Sequence, residues 1–143
     1  MKELRTEIEI QASPEKVWQV LTDLDKYPEW NPFICHAVGT AEIGKPVDID
    51  FQPDLKGLKL HCTVARCQPN RELSWKYHAY HPALFRGEHI FTIEPLGENR
   101  VRFIDREEFN GLLVPLQAKD IDTNTKRGFE EMDRALKARA EQK

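Results

Sequence analysis

Leu4, Ile8 and Ile10 alternate with Arg5, Glu7 and Glu9 at the start of the chain, the period-two pattern of a strand with one wet face. The period then lengthens. Val17, Val20, Leu21 and Leu24 recur three and four apart and form the apolar face of a helix. Ser13 stands where it can accept from the first free N–H groups, Pro14 fits the first helical position, and Glu15 complements the helix dipole. Pro28 and Pro32 stop that helix. Tyr27, Trp30 and Phe33 crowd three rings into the same short stretch, where a solvated linker would carry Gly, Ser or Lys, so a lid that packs on something is expected.

Six further short strands are predicted at Ile34 to Thr40, Val47 to Phe51, Leu58 to Arg66, Leu73 to Tyr77, Phe85 to Glu94 and Val101 to Phe109. Their separators AEIGKP, QPDLKG, CQPNRE, HAYHPA and PLGEN each carry Pro, Gly or Asn. Strands in succession, with short connections and no helices between them, favour a curved antiparallel meander over a parallel sheet. After GLLV the period changes again. Ile121, Thr125, Gly128, Phe129, Met132 and Leu136 share one face of a helix expected from about Pro115 to Ala138, roughly 35 to 40 Å long. Lys119, Asp120, Lys126, Arg127, Glu130, Glu131, Asp133, Arg134 and Lys137 are expected largely on its other faces. Gly128 within it costs about 1 kcal/mol against Ala, which close helix and sheet approach or room for a ligand would explain. One long helix and a short lid leave a strongly curved meander unfilled, so a hollow is expected.

Composition narrows the picture without redirecting it. At 143 residues the chain fits one domain, expected to span 1–143, and a chain of that size buries about 68 to 70% of its unfolded surface. The net charge of −3, with Lys and Arg dispersed, offers no basic stripe for a phosphate backbone, so nucleic acid is not an expected partner. No segment reaches the roughly 18 apolar residues of a membrane span, and MKELRTEIEI lacks the apolar centre of a signal peptide, so a cytoplasmic location is expected. Cys35, Cys62 and Cys67 lack CxxC spacing and are read as reduced thiols, the latter two on opposite faces of one strand. His78 and His81 would stand about 10 Å apart on opposite faces, and neither a metal nor a cofactor is expected.

Face assignment locates the candidate chemistry. His89, Phe91 and Ile93 share one face of their strand, as do Val101, Phe103, Asp105, Glu107 and Phe109 of the next. The opposite face, Arg102, Ile104, Arg106 and Glu108, is wetter, so His89, Asp105 and Glu107 are expected to point inward among aromatics. A three-residue loop would set His89 opposite Asp105 and a five-residue loop opposite Glu107, with Cβ atoms about 5 Å apart in either register. A histidine beside a carboxylate in an apolar hollow suits proton transfer near neutral pH, for cyclisation, aldol or dehydration chemistry on a bound ketone. Inward polar groups can equally anchor the polar end of a ligand without reacting. The expected lining is Trp30, Phe51, Leu60, Val64, Trp75, Tyr77, His89, Phe91, Ile93, Phe103, Ile121, Thr125 and Phe129, with Trp30 at the mouth and Trp18 in the core.

The order of elements is that of an α+β helix-grip fold, a curved seven-stranded sheet around a long C-terminal helix. The stretches ASPEKVWQVLTD, YPEWNPF, RELSWKY, FRGEHIF, EEFNGLL and GFEEMDRALKAR resemble, nearly end to end, the polyketide cyclase/dehydrase branch of the START-like (SRPBCC) superfamily. That resemblance implies a deep cavity for hydrophobic small molecules. It also implies that His89 and Glu107 occupy positions where the family often carries these residues, whereas Asp105 is more particular to this chain. Three functions are expected in order: binding of a lipid-like, aromatic or polyketide-like molecule; cyclase or dehydratase catalysis by His89 with Asp105 or Glu107; and a protein-interaction module like the superfamily's co-chaperone relatives. Fold-level kinship does not choose among them.

Overall fold

The computed structural model describes residues 1–52 and 58–142, and most of the QPDLKG separator lies outside them. Strand β1 (Lys2–Ile10) is followed by helix α1 (Pro14–Thr22), a 3-10 turn (Leu24–Lys26) and the short helix α2 (Tyr27–Trp30). Ser13 accepts from the Lys16 N–H at 3.1 Å, and Pro14 opens α1, as the capping pattern predicts. Then come β2 (Ile34–Gly39), β3 (Pro46–Phe51), β4 (Lys59–Gln68), β5 (Glu72–Ala79), β6 (Phe85–Gly97) and β7 (Arg100–Asn110). All neighbours pair antiparallel in the order β1-β7-β6-β5-β4-β3-β2, a meander closed on one side by the first strand. The result is a curled seven-stranded half-barrel gripping a C-terminal helical run.

That run is α3 (Val114–Asp120), a π-helical turn (Ile121–Thr125) and α4 (Lys126–Ala140), continuous but locally widened. The apolar spacing of three and four places Ile121, Phe129, Met132 and Leu136 inward, all buried. The spacing of three and four through Ile121, Thr125 and Gly128 carries no mark of the π turn.

Two expectations about faces are overturned. A register shift between Val64 and Arg66 puts a bulge in β4, so Cys67 pairs with the buried Leu73 and joins Cys62 on the inner face. One extra residue reverses strand alternation, which a strict period of two cannot anticipate. Asp133, assigned to the wet side of the last helix, is 3% exposed and faces β1, where Thr6 Oγ1 donates to its Oδ2 at 2.6 Å.

The open hollow is also not what the described residues form. Phe33 and Phe129 pack edge to face with centroids 5.7 Å apart, Phe51 lies 4.9 Å from Phe33, and Met132 and Leu136 complete the filling. Among the described residues the two best-formed concavities are surface grooves. One lies between β1 and α4, about 290 Å³, and the other over Gly87 on β6, about 230 Å³. The volume argument undercounts the lid, because Phe33 reaches from the end of α2 to the face of α4.

Candidate functional site

The hairpin of β6 and β7 builds the site. Its register sets His89 against Glu107 and Phe91 against Asp105, the alignment of the longer loop. Asp105 is the diagonal neighbour and still reaches the ring, so His89 meets both carboxyls although only the five-residue register is realised. His89 Nε2 is 2.6 Å from Asp105 Oδ1, and Nδ1 is 3.4 Å from Glu107 Oε1. The Tyr77 hydroxyl donates to Glu107 Oε2 from β5. On the far side, Asp105 and Asp133 are in side-chain hydrogen-bonding contact, and Thr6 anchors Asp133. A polar chain therefore crosses the core from β1 to β5: Thr6, Asp133, Asp105, His89, Glu107, Tyr77.

Gly87 makes room for one end of it. A Cβ there would meet the Tyr77 hydroxyl at 2.5 Å and its Cζ at 2.7 Å, so only glycine on the inner face lets the tyrosine lie across β6 and reach Glu107. Aromatics enclose the middle. Phe129 lies flat on the imidazole, with centroids 4.7 Å apart and planes 2° from parallel, and Phe91 stands 4.2 Å away. Trp75 meets both His89 and Phe91 edge on, at 6.2 Å and 5.2 Å.

Such burial moves every titration. His89 is 1% exposed, and loss of water lowers its pKa although Glu107 and Asp133 pull the other way. Burial pushes the Asp105 carboxyl up to about 8 against the opposing hydrogen bond from Asp133, and it pushes Asp133 up to about 10 with the Asp105 charge adding to the shift. Glu107 is raised by the same desolvation, moderated by His89 and Tyr77. Tyr77 is held well above the usual phenol range by burial and by the Glu107 charge. Burial favours a neutral imidazole among carboxyls that keep protons. Among the described residues no group of three or more His, Cys, Asp or Glu is arranged to hold a metal ion.

The structure brings together His89, Asp105, Glu107 and Tyr77, and it packs Trp75, Phe91 and Phe129 around them. Val64, Ile93 and Phe103 are buried on the same inner sheet face, Leu60 and Ile121 are nearly so, and Thr125 and Phe51 are partly covered. Trp30 and Trp18 are both partly buried against the core, and the Trp30 ring meets Tyr27 edge on at 5.1 Å. Sequence reasoning missed Asp133 and Thr6. A single acid four residues after the inward Phe129 was the available signal, because positions four apart share a helix face.

The sequence matches, over residues 1–141, the family described as polyketide cyclase / dehydrase and lipid transport. The chain belongs to this family. Solved structures of the same fold include a START superfamily protein from Mycobacterium smegmatis, with TM-score 0.74 and 21% identity, covering 97% of each chain. Protein MLL2253 from Mesorhizobium loti gives a TM-score of 0.73 at 22% identity, covering 94% of this chain and 96% of that one. The Zhui aromatase/cyclase from Streptomyces sp. R1128 gives 0.75 at 18% identity, covering 98% and 93%. At these identities the likeness establishes the shared fold. No curated protein matches the sequence. Among the described residues no helix of this family member is long and apolar enough to cross a membrane.

Proposed function

We propose that this chain, as a single START-like domain, binds a small and mostly apolar molecule between the sheet and the C-terminal helix, with the molecule's polar end at His89, Glu107 and Trp75. One observation carries the reading. The Trp75 indole Nε1 beside the acid and base cluster is buried with no hydrogen-bond partner among the described residues, in a setting where an unpaired donor costs about 1 to 3 kcal/mol. A ligand oxygen arriving beside His89 would satisfy it. Family membership supports the same class of activity. Since Phe129 covers the imidazole, binding requires that ring to swing from its stacked position, and affinity is reduced by the cost of uncovering the cluster.

Catalysis of the cyclase or dehydratase kind is the second reading, favoured by the 2.6 Å contact of His89 with Asp105 and the adjoining Glu107. It shares the binding step and adds a requirement that substrate displace Phe129 far enough to meet the imidazole. Titration of labelled protein with a panel of neutral aromatic ketones, flavonoids and fatty acids, followed by amide and indole NMR, tests the binding reading. Saturable shifts of the Trp75 indole proton and the His89 ring are the expected result. Ligands that perturb only surface residues, with Trp75 and His89 unmoved across the panel, would overturn it.

A further inference from the structure

Hydrogen-bond counting along the buried chain leaves a surplus of acceptors. Asp133 Oδ2 receives the Thr6 hydroxyl, and Glu107 Oε2 receives the Tyr77 hydroxyl. His89 then joins Asp105 Oδ1 on one side and Glu107 Oε1 on the other. Asp105 Oδ2 and Asp133 Oδ1 remain, both fully buried and neither with a donor among the described residues, although the two carboxyls are in contact. Two ionised carboxylates could not share that contact, and one proton between them converts two orphaned oxygens into one hydrogen bond.

We propose that Asp105 and Asp133 share a single proton, and that Asp133 is thereby a positioning residue that fixes the orientation and protonation of His89. The links Asp133 to Asp105 and Asp105 to His89 each take one proton, while Glu107 Oε1 stands 3.4 Å from His89 Nδ1. A neutral imidazole supplies one of these, and the carboxyls retain at least one that they would surrender in water at pH 7. Raised carboxyl pKa values at both aspartates agree with this count. Asp133 also lines the groove between β1 and α4, so the acid pair lies at the boundary between the core and bulk water. The charged groups around it there are Arg5 and Glu7 from β1 and Lys126, Glu130 and Arg134 from α4. From the core side it is faced by Asp105 and His89, with Glu107 and Tyr27 one step further.

The proposal goes beyond ligand binding and is tested on the ligand-free protein, so its failure leaves the binding reading untouched. Proton release on unfolding at pH 7, measured by calorimetry in buffers of different ionisation enthalpy, should be at least about one per chain. In Asp133→Asn the amide N–H replaces the shared proton, and release should fall by about one. Infrared difference spectra should show one protonated carboxyl C=O stretch lost in Asp133→Asn. Asp105→Asn should lose the same band if the first variant fails to fold. A wild-type protein that releases no proton would overturn the proposal, as would carboxyl bands unchanged in the folded variants.

Discussion

Replacing Gly128 by Ala sets two opposed effects of known size against each other. In an exposed helix the change should stabilise by about 1 kcal/mol, since Gly is the poorer helix former. Here an added Cβ would stand 3.0 Å from Phe33 Cγ and overlap Cδ1 and Cε1 more severely. Phe33 cannot easily step aside: it is 1% exposed and held between Phe51 and Phe129. Overpacking of this kind costs about 1 to 3 kcal/mol, so the net effect should be a loss of up to about 2 kcal/mol. A domain of this size loses roughly 3 to 4 °C per kcal/mol, and thermal melts followed by circular dichroism should show a drop of up to about 8 °C. In a Phe33→Leu background the same Gly128→Ala change should become neutral or stabilising, because the obstructing ring edge is gone. The pair should therefore show a coupling energy in a double-mutant cycle. A rise in Tm from Gly128→Ala alone would refute the close approach of helix and lid, and with it the account of how the hollow is filled.

Stability should fall as pH rises from 7 to 8. Carboxyls raised in the fold keep protons that the unfolded chain has lost above about pH 4, so their stabilising contribution disappears on approach to the Asp105 value of about 8. Each such proton corresponds to a slope of about 1.4 kcal/mol per pH unit, and flat melts over this range would count against the buried acid cluster. His89 has the opposite sign below its unfolded value near 6.5 and there offsets about one carboxyl proton, so the fall in stability with rising pH should be shallower below pH 6.5 than above it. Glu107→Gln should weaken ligand binding if the cluster anchors a ligand. If it catalyses, affinity should hold while turnover falls by about 10² to 10⁴, so parallel binding and rate measurements separate the two. Trp30→Ala should weaken ligand affinity more than it lowers Tm, and Trp18→Ala should do the reverse; equal thermal losses would make Trp30 ordinary core.

How far the sequence reveals this molecule depends on the distance between the interacting residues. Ser13 and Pro14 announce α1 because a cap is a matter of neighbouring positions, and each strand is legible from its own alternation. Face assignment likewise brings His89, Asp105 and Glu107 together, since strand period and hairpin pairing are local rules. Asp133 illustrates where such rules stop. Its burial depends on Thr6, 127 positions away, and on an acid in another strand, and helical spacing alone shows only polarity. Cys67 fails for a second reason: a bulge is one residue of backbone geometry with no strong sequence mark. The hollow expected from counting elements fails for a third, because Phe33 fills space between elements and belongs to none of them. Gly128, read as either close packing or room for a ligand, turns out to be where that ring meets the helix.

Native mass spectrometry of the protein isolated from its own cells tests the central claim most directly. The account predicts a small molecule, mostly apolar with at least one oxygen acceptor, bound one per chain and released on unfolding. Its loss from a Trp75→Phe, His89→Asn double variant that still melts cooperatively would tie it to the cluster. Protein that emerges uniformly free of ligand, and that retains none when supplied with the apolar extract of those cells, would contradict the claim.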